Sequence, residues 1–270
     1  MCPKLFQIGP LPIYSFGLML ALAFLTASYL LTAEFKRRKL DPEIASTFTF
    51  LALVLGVAGS KLLHLIENWS DFISDPLRMA LSPGGLTFHG GLLLTIVGIY
   101  FYLRSKKIPF LVGADATSPG LLLAYGIGRI GCHLAGDGDY GFPTTLPWGT
   151  DYSKGTYPPS MAFRDFPEVT SQYPGGLVPD NVLCHPTPMY EFIACAIGFW
   201  ILWRLRTKLH PAGKMFMLYL IFAGTERFLV EFLRLNPRMV ADLSQAQLIS
   251  LGLVATGLIG WYLLTPKRTT

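Results

Sequence analysis

The chain has 270 residues, 51% of them hydrophobic and only 14% charged, where an ordinary soluble domain has roughly 25% charged. So large a deficit along the whole length makes the surface itself apolar, which excludes a water-soluble globular domain and points to a membrane protein. The net charge of +5 is accounted for by membrane topology and requires no nucleic-acid partner.

A helical span needs about 20 apolar residues, whereas a membrane barrel would show weak alternation in ten-residue segments. Long continuous runs are what the sequence has. They fall at residues 13–33, 43–66, 86–103, 110–135, 189–205, 215–233 and 248–264, predicting an all-α integral membrane protein of about seven transmembrane helices. The first run is too long for a signal-peptide core, lacks a basic leader and is followed by Lys36-Arg37-Arg38-Lys39, so it reads as a span.

The second run contains Gly59-Ser60-Lys61-Leu62-Leu63-His64. An ionisable group at that depth costs about 2.5–3.5 kcal/mol or more and faces a cavity, a partner or substrate, unless it snorkels to the interface; both readings stand for Lys61. The third run opens with Thr87-Phe88-His89-Gly90-Gly91. The His89 imidazole there is able to act as base, acid or hydrogen-bond donor, and the two glycines permit close backbone approach. The fourth ends in Gly126-Ile127-Gly128-Arg129-Ile130-Gly131-Cys132, where Gly128 and Gly131 thin the helix beside a permanent guanidinium suited to phosphate oxygens.

Residues 136–186 form the one long connection and hold eight of the twenty prolines; they are expected to be an ordered cap or head inserted into a single membrane domain spanning residues 1–270. The start of this segment, Gly136-Asp137-Gly138-Asp139-Tyr140-Gly141, is like the beginning of a calcium loop, but the remaining ligand positions are missing. His185-Pro186-Thr187-Pro188-Met189-Tyr190-Glu191 leads into the fifth run and reads mainly as a capping signal, with Glu191 at the positive end of the helix dipole. In the sixth run Arg227 and Glu231 are four residues apart and share a helix face, which alone also fits a self-neutralising structural pair. Two arginines on different spans, Arg129 and Arg227, fit an anion held between helices, and lipid phosphate is the anion at that depth.

Basic residues divide unequally between the two sides. Thirteen, among them Lys36–Lys39, Arg104, Arg204, Lys267 and Arg268, lie on one side and six on the other. The positive-inside bias then places the N-terminus outside and the C-terminus in the cytoplasm. Of the four cysteines, Cys132 and Cys184 fall near the outer face and admit a bridge, but free thiols are the simpler reading.

Ser15-Phe16-Gly17-Leu18, Gly59-Ser60-Lys61-Leu62, Phe88-His89-Gly90-Gly91-Leu92, Gly128-Arg129-Ile130-Gly131, His185-Pro186-Thr187-Pro188-Met189-Tyr190-Glu191 and Arg227-Phe228-Leu229-Val230-Glu231-Phe232 together resemble the bacterial prolipoprotein diacylglyceryl transferases over nearly the whole chain. The resemblance implies a multi-pass protein of the bacterial inner membrane. It would transfer the diacylglyceryl group of phosphatidylglycerol to the lipobox cysteine thiol in a prolipoprotein signal peptide, forming a thioether and releasing glycerol phosphate. It implies that Arg129 grips the head group, with Gly128, Gly131, Lys61, Asp137 and Gly141 bordering the substrate. Arg227 and Glu231 complete the site, and His89 deprotonates the thiol or orients the phosphate. No metal or soluble cofactor is implied. Cys132 replaces a family asparagine, Asp137 a glutamate, Lys61 an arginine, and Phe16 and Ala223 replace tyrosines. These departures leave open a relative that binds lipid phosphate without catalysis or serves another acceptor.

Overall fold

A computed structural model describes residues 1–265 apart from Pro83 and Leu235, with Ile8, Leu11 and Val240 described by backbone alone. Lys267 and Arg268, two of the thirteen basic residues expected on one side, lie outside the described residues. A short antiparallel hairpin, β1 (Lys4–Ile8) and β2 (Leu11–Tyr14), leads into α1 (Ser15–Arg37). The long helices that follow are α2 (Pro42–Glu67), α3 (Phe88–Ser105), α4 (Phe110–Ala135), α5 (Thr187–Leu205), α6 (Lys214–Val230) and α7 (Gln245–Leu263).

Five of these, α1, α2, α4, α5 and α7, are long and apolar enough to cross a membrane. The other two are diluted by charge: α3 includes His89 and Arg104, and α6, at 17 residues, holds Lys214, Glu226 and Arg227. Outward-facing side chains such as Leu25, Phe50, Leu93, Ile197 and Leu258 are exposed, an apolar surface too extensive for water and suited to lipid.

The chain divides into two compact units, Ser28–Ala114 and the remainder, Met1–Ala27 with Asp115–Thr270. In the first, α2 starts at an Asp41 cap whose carboxylate accepts from the Glu43 amide at 2.9 Å, with Pro42 pre-set for the first turn. α2 packs on α3 where Gly59 meets Gly90; a Cβ on Gly59 would strike the Gly90 carbonyl and come within 2.7 Å of Leu94 Cβ. Only glycine lets two helices approach so closely.

In the larger unit, buried Asp115 on α4 accepts from the Gly213 and Phe216 amides, both at 2.8 Å, and so caps the N-terminus of α6. That cap fixes α6 against α4 at one end. At the start of α7, Ser244 and Gln247 form a reciprocal capping box. Residues 136–186 enclose their own small core of Tyr140, Tyr152, Phe163, Val169, Val178 and Cys184. Two-residue strands β3 (Thr150–Asp151) and β4 (Leu183–Cys184) tie this segment together, and a second hairpin, β5 (Arg238–Val240) with β6 (Leu243–Ser244), precedes α7.

Candidate active site

Three guanidiniums and three carboxylates interlock in the larger unit. Glu191, on α5 and wholly buried, accepts from Arg129 Nε on α4 and lies 3.2 Å from Arg227 Nη1 on α6 and 3.5 Å from Arg234 Nη1 beyond it. Tyr125, one turn before Arg129, donates its hydroxyl to the same carboxylate at 3.2 Å. Glu231, also wholly buried, pairs with Arg227 Nη2 at 2.8 Å and accepts from Ser244 Oγ at 2.6 Å and Asn236 Nδ2 at 2.7 Å. Asp139 bridges the remaining arms, 2.5 Å from both Arg129 Nη1 and Arg234 Nη2. Charges this deep persist only when paired and hydrogen-bonded. One donor of the lattice is left over: Arg129 Nη2 is buried with no hydrogen-bond partner among the described residues.

The Asp139 carboxyl shows what the arrangement does to acidity. Burial favours its neutral form, but Arg129 and Arg234 outweigh burial and hold it down to about 2. Asp137 moves the opposite way, raised by burial and then by repulsion from Asp139. Cys132 Sγ and oxygens of Asp137 and Asp139 lie within 4.8 Å of one another. A cation entering there would meet the Arg129 guanidinium already on Asp139, which opposes a metal.

Backbone geometry brings Asp139 into reach. Gly136 and Gly138 take φ of +58° and +88°, left-handed values that a side chain resists. The chain then crosses tightly at Gly141, whose amide donates to the His185 carbonyl at 2.9 Å; a Cβ there would strike the Leu233 carbonyl. Gly141 also bridges to Arg234. Gly131 seats Phe16 and Met19 of α1, whereas a Cβ on Gly128 would meet open space.

Of the residues singled out from sequence, Arg129, Arg227 and Glu231 come together with the Gly128–Gly141 segment. Lys61 and His89 belong to the other unit. There Lys61 Nζ donates to the Ser82 carbonyl and hydroxyl and to the Gly84 carbonyl, at 2.8–3.0 Å, ahead of His89 at the start of α3. Glu191 is a correction: it sits in the second turn of α5 and caps nothing, serving instead as the common acceptor of three arginines. Arg234, one of the six basic residues on the sparser side, and Asp139 complete the lattice. The Glu231–Arg234 spacing of three, one helical step, was the available signal for Arg234. All four cysteines are free.

The fold and site define a multi-pass helical membrane protein whose larger unit holds a buried arginine–carboxylate lattice with one unpartnered guanidinium nitrogen. The chain belongs to the prolipoprotein diacylglyceryl transferase family, whose model matches residues 3–263. It is 33% identical over 260 residues, 96% of both chains, to the phosphatidylglycerol–prolipoprotein diacylglyceryl transferase of Clostridium tetani. The protein of that name from Fusobacterium nucleatum is 30% identical over 279 residues, again 96% of both chains. That of Geobacter sulfurreducens is 32% identical over 265 residues, 95% of this chain and 92% of its own.

Proposed function

We propose that this protein transfers the diacylglyceryl group of phosphatidylglycerol to the lipobox cysteine thiol of a prolipoprotein, in the bacterial inner membrane. The family match supports the reaction, and the observation that carries the site is the unpaired Nη2 of Arg129 inside an otherwise paired lattice. A phosphate oxygen placed on that nitrogen meets a fixed cation in a low-dielectric setting. The thiol sulfur attacks the glyceryl carbon, a C–S bond forms, and the C–O bond to phosphate breaks. Negative charge then grows on the departing glycerol phosphate, where a pre-aligned guanidinium lowers the barrier most.

Arg227, held by Glu191 and Glu231, supplies the second positive arm. Gly128, whose missing side chain leaves open space, and Gly131 border the lipid, and Asp137 and Gly141 line the approach from the head. His89 deprotonates the thiol or orients the phosphate, and Lys61 supports it through its hydrogen bonds to Ser82 and Gly84. Residues 136–186 are an extracytoplasmic head on a single seven-span domain with the N-terminus outside, a reading supported by the unequal basic residues.

The test is Arg129→Lys, which keeps charge but loses the fork. In vesicles of phosphatidylglycerol with a lipobox peptide, wild type forms a thioether-linked product identifiable by mass. The lysine variant should lose about 100-fold or more in kcat/KM. Near wild-type turnover would remove Arg129 from the phosphate site.

A further inference from the structure

The lattice is balanced, three guanidiniums against three carboxylates, yet a fourth acid stands at its edge. Glu226 immediately precedes Arg227 on α6 and is half-buried. Its Oε1 is buried and has no hydrogen-bond partner among the described residues. Glu191 and Cys195 on α5, Tyr125 and Arg129 on α4, adjacent Arg227 and Arg234 beyond α6 all lie within its electrostatic reach. Buried carboxylate oxygens are almost always matched, so an unmatched one beside the phosphate-binding arginines is open to a donor that arrives with substrate. The other acids face partners: Glu191, Glu231 and Asp139 each meet at least two donors. Glu231 Oε2, which makes no hydrogen bond among the described residues, still lies 2.8 Å from Arg227 Nη2, and Asp137 lies beside Cys132, a carboxylate oxygen and Sγ within 4.8 Å of one another.

We propose that Glu226 is the proton acceptor for the incoming thiol. This rests on the transferase reading above and leaves His89 the role of orienting the phosphate. As the sulfur forms its bond to the glyceryl carbon, the S–H proton passes to Glu226 and the C–O electron pair leaves on phosphate. Glu226 loses a negative charge as the phosphate gains one, so the total charge around Arg129 and Arg227 is constant through the step. The proton then returns from Glu226 to the departing phosphate monoester, regenerating the carboxylate. A base with an unpartnered buried oxygen, one residue from a phosphate-binding arginine, is placed for such an exchange.

The experiment compares wild type, Glu226→Gln and Glu226→Asp in phosphatidylglycerol vesicles, with a lipobox peptide carrying either cysteine or selenocysteine. A selenol is already ionised at neutral pH and needs no base. Glu226→Gln should lose about 100-fold in kcat with the thiol peptide, flatten the acid limb of the kcat profile, and recover to within a few-fold of wild type with the selenol. Glu226→Asp should keep the acid limb at reduced rate. Unchanged thiol turnover in Glu226→Gln, or equal losses with both peptides, would overturn the proposal. Absence of transfer by wild type would instead overturn the reaction itself.

Discussion

Glu191→Gln isolates the charge at the centre of the lattice, because the amide keeps the shape and one acceptor oxygen. In the native protein this wholly buried carboxylate meets Arg129, Arg227 at 3.2 Å, Arg234 at 3.5 Å and the Tyr125 hydroxyl at 3.2 Å. Without its charge, three guanidiniums face only Asp139 and Glu231, and a net positive charge is left buried. Removing one partner of a buried ion pair costs about 3–5 kcal/mol. At roughly 2–4 °C per kcal/mol for a chain of this size, thermal unfolding falls by roughly 6–20 °C. The assay is fluorescence-detected size exclusion of detergent-solubilised protein after a temperature ramp. Adding Arg234→Gln restores the balance, so the double variant should be more stable than Glu191→Gln alone, with a coupling of about 0.5–3 kcal/mol. A Glu191→Gln transition within about 2 °C of wild type, or strictly additive losses in the double variant, would refute the lattice as a balanced unit.

Asp139 makes stability depend on acid. Its carboxyl is held near 2, below its ordinary 3.8, by Arg129 and Arg234 against burial, so its contribution is complete above about pH 4 and is lost as pH falls through 2. Asp139→Asn should therefore be less stable than wild type at neutral pH and lose less on acidification from about pH 4 to 2; parallel losses in the two proteins would show that another group sets the acid response. At the α2–α3 crossing, Gly59→Val forces a side chain into the Gly90 carbonyl and Leu94 and should destabilise that unit by about 1–3 kcal/mol. Hydrogen exchange of α2 and α3 amides measures it, and unchanged protection would mean that the helices part freely.

Apolar runs made the long helices legible, since length and hydropathy are local properties. The 215–233 run ends as a helix three residues earlier, because Glu231–Leu233 tightens into a 3-10 turn. Arg129, Arg227 and Glu231 were legible because a charge within an apolar run is conspicuous wherever it goes. Glu191 was not: beside two prolines at a helix start it looks like a dipole partner, and its three arginines are 36–62 residues away in sequence. Asp139 sits in a glycine- and aspartate-rich turn that resembles a cation loop, and only the chain crossing at Gly141 turns it toward arginines. Glu226 drew no notice for the opposite reason, since what distinguishes it is a missing partner, and sequence records no absences of that kind.

The lattice also imposes an order on biogenesis. A chain made from its N-terminus presents α4 to the membrane with Arg129 before Glu191, 62 residues later, has been synthesised. Asp139 follows by only ten residues, and the two sit at the end of α4, where an arginine can reach the interface while it waits. Arg227 and Glu231 arrive together, already paired across the C-terminal end of α6, as a nearly neutral insertion unit. Final closure around Glu191 therefore waits until Arg234 has emerged, and chains truncated before that point carry an uncompensated acid between their helices.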